Sequence, residues 1–224
     1  MRPSLPAPVR RALRAAACAC CLLAAPAVPN AAAVPAPQRP ALIPRAEASA
    51  LFAEAVSRGL PPGGLLLVAD VPAQRAVLCS RSGPLLEFPV STSRFGVGNR
   101  SGSNQTPAGW HRVSERFGAD AAPGAVFVSR RPDGRVLPPS AWRDPAPAED
   151  LVLTRVLWLD GLEPGLNRGP GIDSHERCIY LHGTNQEQLL GTPSSHGCIR
   201  FSNHDVAELF DFALGAELYC LIRP

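Results

Sequence analysis

From residue 65 onward, short runs of leucine and β-branched residues recur between clusters of proline, glycine and serine, at intervals of roughly ten residues. That rhythm constrains the fold more than any other feature, because it leaves little room for long helices and calls for many short strands joined by turns. Segments 65–70 (LLLVAD), 75–80 (RAVLCS), 85–92 (LLEFPVST), 125–130 (AVFVSR), 152–160 (VLTRVLWLD), 178–183 (CIYLHG) and 217–222 (ELYCLI) read as strands. Two segments break the pattern as short helices. Residues 47–60 place Leu51, Phe52, Ala55 and Val56 on one face and stop at Gly59 with Pro61 beyond, and residues 206–213 follow Asn203, a candidate N-cap. Residues 138–147 read as a loop. The expectation is a mainly β, sandwich- or barrel-like fold with a few short helices.

The first 33 residues carry Arg2, Arg10, Arg11 and Arg14 and no acid, then an apolar run over 15–28, then Ala31, Ala32 and Ala33. This order reads as an export signal. Pro26 interrupts the run, which falls short of the about 20 apolar residues needed to cross a bilayer, so no membrane span is expected in the mature form. Residues 34–45 hold four prolines and read as an extended spacer, which leaves 46–224 as one folded domain in the periplasm. All 22 basic residues are arginine, and removing the four in the leader leaves 18 against 19 Asp plus Glu, so the formal net charge of +3 becomes −1. A mature chain with that balance and no basic cluster lacks the footprint of a nucleic-acid binder.

Export also removes Cys18, Cys20 and Cys21, leaving Cys79, Cys178, Cys198 and Cys220 for an oxidising compartment. An even count usually means disulfides there. Cys79, Cys178 and Cys220 lie in apolar, strand-like contexts and are expected to be buried, or to supply one disulfide pair. Cys198 lies in a different setting. It closes Ser195-His196-Gly197-Cys198, downstream of His182 at the end of an apolar strand. A thiol attacks a carbonyl as thiolate and needs a base beside it and donors for the oxyanion it creates. His182 is the candidate base, and the amides of Gly197 and Cys198 are the candidate donors.

HGT at 182–184 with SHGC at 195–198 and Ile-Arg after it, preceded by the Thr106-Pro107-x-Gly109 stretch, resembles the signature of the L,D-transpeptidase catalytic-domain family over roughly residues 63–224. Arg94 stands in STSRFG where that pattern often has glycine. The resemblance implies a β-rich fold that cross-links peptidoglycan stem peptides, its partners, without a cofactor. In that scheme Cys198 takes the acyl group at the third stem residue and releases the terminal D-residue. His182, oriented by the carbonyl of Gly183, handles the proton, and an amine acceptor opens the thioester. Gly183, Ser195, His196 and Arg200 are the implied substrate contacts, although Arg200 could equally pair with a nearby acid.

Plainer readings stand beside these. His111, His175 and His204 suit the surface or a helix cap, and Trp110, Trp142 and Trp158 suit core or loop anchoring. Zinc could in principle use His182, His196, Cys198 and His204, but no further ligand completes a known spacing, so no metal is expected. Hydrolysis in place of transfer, as in an L,D-carboxypeptidase or a lipoprotein–peptidoglycan amidase, would use the same residues. A non-catalytic wall-binding module would retain the groove and lack the chemistry.

Overall fold

The computed structural model describes residues 43–143 and 149–224. The expected export signal and most of the expected spacer, residues 34–42, lie outside the described residues. Helix α1 (Arg45–Ser57) is followed by β1 (Leu65–Asp70), β2 (Arg75–Ser80), β3 (Gly83–Pro89), β4 (Gly109–Phe117), β5 (Ala125–Val128), β6 (Arg131–Val136), β7 (Val152–Gly161), β8 (Tyr180–Thr184), β9 (Ile199–Phe201), α2 (Asn203–Leu214) and β10 (Leu218–Arg223). The strands form one mixed sheet in the order β3-β2-β1-β10-β4-β7-β5-β6, with β8 also paired to β7 and β9 paired to β8.

The run LLLVAD forms a strand without polar alternation because both faces of β1 are covered. Leu65, Leu67 and Ala69 enter a large core with Phe88, Leu157, Leu181, Phe201 and the buried face of α2. Leu66 and Val68 point the other way, into a cluster with Ile43, Phe52, Leu60, Trp110 and Tyr219 under α1. Fully burying each large apolar side chain contributes roughly 1.5–3 kcal/mol, so the two-sided burial holds β1 at the centre of the fold. The second cluster moves the domain's start: Ile43 is buried and α1 opens at Arg45, so packing begins inside the segment expected to be spacer.

The same two-sidedness decides the cysteines. Cys79 lies opposite Leu66 on β2 and Cys220 opposite Leu67 on β10. Consecutive β1 residues face opposite sides, so these thiols occupy different cores and cannot pair. All four described cysteines are free. Cys178, expected in an apolar strand, is exposed just before β8 with φ 56°, in the left-handed region. His111, expected at the surface, is buried, with Nδ1 3.0 Å from the Gly109 carbonyl and Nε2 2.9 Å from Ser174 Oγ. His175 is stacked on Trp158, its ring centroid 3.7 Å away.

Helix α2 is capped by Ser202, whose Oγ accepts from the Asp205 N–H at 3.0 Å, one residue before the cap read from the sequence. Val206, Leu209, Phe210 and Ala213 seat it against the core beside β7 and β8. No described helix is long and apolar enough to cross a membrane.

Candidate active site

Strands β8 and β9 run parallel, pairing Leu181 with Ile199, His182 with Arg200 and Gly183 with Phe201. This register sets His182 in the middle of one strand and Cys198 at the entrance to its neighbour. Position 183 must be glycine: a Cβ there would lie 2.5 Å from Asn203 Oδ1 and 2.8 Å from the Leu153 carbonyl oxygen. Asn203 is itself fixed, donating to the Thr184 carbonyl at 2.8 Å and to Glu187 at 2.9 Å, and accepting from Thr154 Oγ1. Thr154 sits at the β7 irregularity with φ 68°, an uncommon conformation for a β-branched residue.

His182 is buried, and its Nδ1 lies 2.8 Å from the Gly183 carbonyl. A carbonyl only accepts, so Nδ1 carries the hydrogen and the neutral ring presents Nε2 as a lone pair. Burial pushes the imidazole down to about 4, with the Gly183 carbonyl pulling the other way, which keeps the ring neutral at ordinary pH. The half-buried sulfur of Cys198 is held between two backbone groups, accepting from the Tyr180 N–H at 3.3 Å and donating to the Cys178 carbonyl at 3.4 Å. Desolvation raises its pKa to about 11, against the Tyr180 N–H and Arg200, both of which favour the thiolate. At rest the pair is thiol and neutral imidazole.

The loop before Cys198 is tied down on several sides. Ser195 Oγ donates to the Cys198 carbonyl at 2.6 Å and accepts from the Gly197 N–H at 3.2 Å. The Gly197 amide, expected as an oxyanion donor, is therefore already engaged in this arrangement, whereas the Cys198 N–H has no hydrogen-bond acceptor among the described residues. Gly197 itself has φ 126°, which suits only glycine. Thr106 of the Thr-Pro-x-Gly stretch donates to the Gly197 carbonyl at 3.1 Å and accepts from the Ser93 N–H at 2.9 Å, coupling the two motifs directly. Ser195 is 1% exposed, and Gly183 faces Asn203, so both shape the site from behind rather than lining its open side.

Arg200 is 2% exposed and ion-paired to Asp150, with Gln186 Oε1 and Ser194 Oγ each 3.1 Å from its Nη1. Its buried guanidinium is spent on protein partners, which favours the acid-pair reading over direct substrate contact. Asp150 also lies 3.2 Å from His196 Nδ1, and Arg94 Nη2 lies 2.5 Å from His196 Nε2. Sequence reasoning missed Asp150, which offers no motif and no periodic position. It also missed the arm formed by Arg130, whose Nη1 donates to Tyr180 Oη at 2.9 Å and whose guanidinium lies 4.1 Å from the Trp158 ring centroid.

The residues weighed as zinc ligands are not gathered. Among the described residues only His204, Asp205 and Glu208 bring ligand atoms within 4.8 Å of one another, and that group excludes His182, His196 and Cys198. It lies in the first turns of α2, where the helix dipole disfavours a cation.

The L,D-transpeptidase catalytic-domain family model matches residues 65–217. No curated protein matches the chain. Among solved structures, an L,D-transpeptidase from Mycobacterium smegmatis is 20% identical with a TM-score of 0.43, over 71% of this chain and 58% of that one. The L,D-transpeptidase of Xylanimonas cellulosilytica is 16% identical with a TM-score of 0.44, over 78% and 68%. L,D-transpeptidase 3 of Mycobacterium tuberculosis, solved with a faropenem-derived adduct, is 15% identical with a TM-score of 0.42, over 72% and 60%. The matched region spans less than two thirds of the first of these relatives, 58% of its length. The family match extends from β1 to the end of α2 and takes in both motifs, and on that ground the chain belongs to the L,D-transpeptidase catalytic-domain family.

Proposed function

We propose that the chain is a peptidoglycan-modifying acyltransferase that uses Cys198 as nucleophile and His182 as base. The observation that carries this reading is the state of His182: neutral, its Nδ1 spent on the Gly183 carbonyl, its Nε2 left with a lone pair, on the strand adjoining Cys198. No hydrogen bond joins His182 Nε2 to Cys198 Sγ at rest, and catalytic contacts of this kind commonly tighten only when substrate is bound.

A neutral imidazole and a neutral thiol fit general-base catalysis better than a preformed ion pair. The sulfur proton passes to His182 as the S–C bond forms at the carbonyl of the third stem residue. The oxyanion meets the Cys198 N–H. The imidazolium then returns its proton to the departing nitrogen, the C–N bond breaks, and the terminal D-residue leaves a thioester on Cys198. An acceptor amine attacks that thioester and gives a proton to His182; the C–N bond forms, the C–S bond breaks, the new amide departs, and the imidazolium returns the proton to the Cys198 sulfur. Water in place of the amine gives hydrolysis, and product analysis separates the two outcomes. This reading places the protein outside the inner membrane, exported on residues 1–33, with the stem peptide as partner.

The test is intact-protein mass after incubation with a tetrapeptide donor. A rise equal to the tripeptide acyl group, mapped to Cys198 and absent in Cys198→Ala, supports the proposal. Binding without any adduct would instead mark a wall-binding module.

A further inference from the structure

Arg94 replaces the glycine common to the resembling pattern, and it is built into the nucleophile loop. Its backbone N–H donates to the Ser195 carbonyl at 3.1 Å, beside the Ser93–Ser195 bridge. Its side chain lies over the Phe95 ring, 4.9 Å from the centroid, and holds the Nε2 of His196, two residues before Cys198. An arginine only donates, so His196 accepts at Nε2 and carries its hydrogen on Nδ1, toward Asp150. Asp150 is in turn neutralised by the buried Arg200. Along the chain Arg94–His196–Asp150–Arg200 there are two guanidiniums, one neutral ring and one carboxylate. One positive charge is left over, and it sits on the exposed end, at Arg94. No carboxylate among the described residues pairs with it.

A guanidinium offers five N–H donors, and His196 takes one. Arg94 is exposed, its remaining donors have no protein partner among the described residues, and the imidazole and the Phe95 ring each engage the guanidinium. Such a guanidinium can receive a carboxylate through two parallel hydrogen bonds. We propose that Arg94 is a specificity-determining residue that binds a carboxylate of the donor peptide adjoining the bond that Cys198 attacks. The inference rests on the reaction proposed above. Two carboxylates of such a donor qualify, the one on the terminal D-residue and the one on the side-chain centre of the third residue.

The experiment uses the full chain and three donors: the native tetrapeptide, its C-terminal carboxamide, and the peptide amidated at the side-chain centre of the third residue. Adduct formation at Cys198 gives kcat and KM for wild type, Arg94→Gln and Arg94→Lys, with thermal midpoints confirming that each variant folds. One of the two amidated donors should raise the wild-type KM by about tenfold to a hundredfold, the size of a lost charge-assisted contact. That donor identifies the carboxylate. Arg94→Gln should show the same rise with the native donor and no longer distinguish it from that amide, with kcat within about threefold, and Arg94→Lys should recover part of the loss. A uniform loss across all three donors, or discrimination that survives Arg94→Gln, overturns the proposal while leaving Cys198 chemistry intact. Absence of any adduct in wild type defeats the underlying reaction, and the inference with it.

Discussion

The backbone N–H of Tyr180 points at the sulfur of Cys198 across 3.3 Å, so the residue that opens β8 holds the thiol that precedes β9. The phenol of the same tyrosine is held by Arg130 from the turn between β5 and β6. One residue, through its backbone on one side and its phenol on the other, thus links the Cys198 sulfur to a hairpin well removed from it in sequence.

His182→Ala should slow acylation about 10²–10⁴-fold at neutral pH, the usual contribution of a positioned general base. An unperturbed thiol would restore the rate near pH 8.5. Because burial raises Cys198 to about 11, recovery should come only as pH climbs toward that value. Acylation rates from pH 6 to 11 check this, and His196→Ala should show a smaller loss without the recovery.

Labelling with iodoacetamide at neutral pH should modify Cys178 first, because it is exposed, and Cys198 more slowly, because its sulfur is held as a thiol. Cys79 and Cys220 should react only after unfolding. Peptide mapping over time gives the order, and Cys198 labelling fastest would contradict a resting thiol at that position.

Stability should fall on acidification between about pH 6.5 and 4. His111 and His182 are both buried neutral and lowered from 6.5 to about 4, so over this window the unfolded chain binds more protons than the folded one. The sign follows: stability is fully present above 6.5 and declines as pH drops toward 4, by on the order of 3 kcal/mol per histidine. Urea denaturation at a series of pH values tests it, and His111→Gln should flatten the curve.

Asp150→Asn should destabilise the protein by about 2–4 kcal/mol, since it leaves the Arg200 guanidinium buried without its counter-charge. The partial exposure of Asp150 keeps the loss below that of a fully buried pair. Chemical denaturation measures the stability, and nitrogen NMR should show His196 keeping its hydrogen on Nδ1, because Arg94 still donates to Nε2.

Ser129 and Arg130 form the two-residue turn between β5 and β6 with φ of 49° and 68°, where glycine or asparagine is usual. Ser129→Gly should relieve about 1 kcal/mol of strain without touching Tyr180. Arg130→Gly should relieve similar strain but release the phenol and the Trp158 face. Comparing thermal midpoints with acylation rates separates the two, and equal effects on both would mean that Arg130 contributes only turn geometry.

Strands that bury both faces were legible because they leave unbroken apolar runs, as in 65–70 and 75–80. β6 was invisible for the opposite reason: every residue from Arg131 to Val136 is exposed, so only pairing with β5 makes it a strand. β4 begins inside the Thr-Pro-x-Gly stretch and carries a register irregularity between Val113 and Glu115, which breaks its alternation. β9 has three residues, too few for any periodic signal. His182 and Cys198 were singled out by the HGT and SHGC motifs, whereas the parallel pairing that sets their strands side by side is a tertiary feature with no local signal. Asp150 could not be read, because its place beside His196 and Arg200 is made by tertiary folding alone.

The parallel pairing of β1 with β10 brings Asp70 and Arg223 together across 153 residues. Until β10 joins, β1 exposes an apolar edge on the β3-β2-β1 meander, and β4 lacks its partner on that side. A nascent chain that has made every strand but β10 therefore holds two unsutured half-sheets with adhesive borders. Its vulnerability to self-association should be greatest at that moment and end when this one strand slots between them.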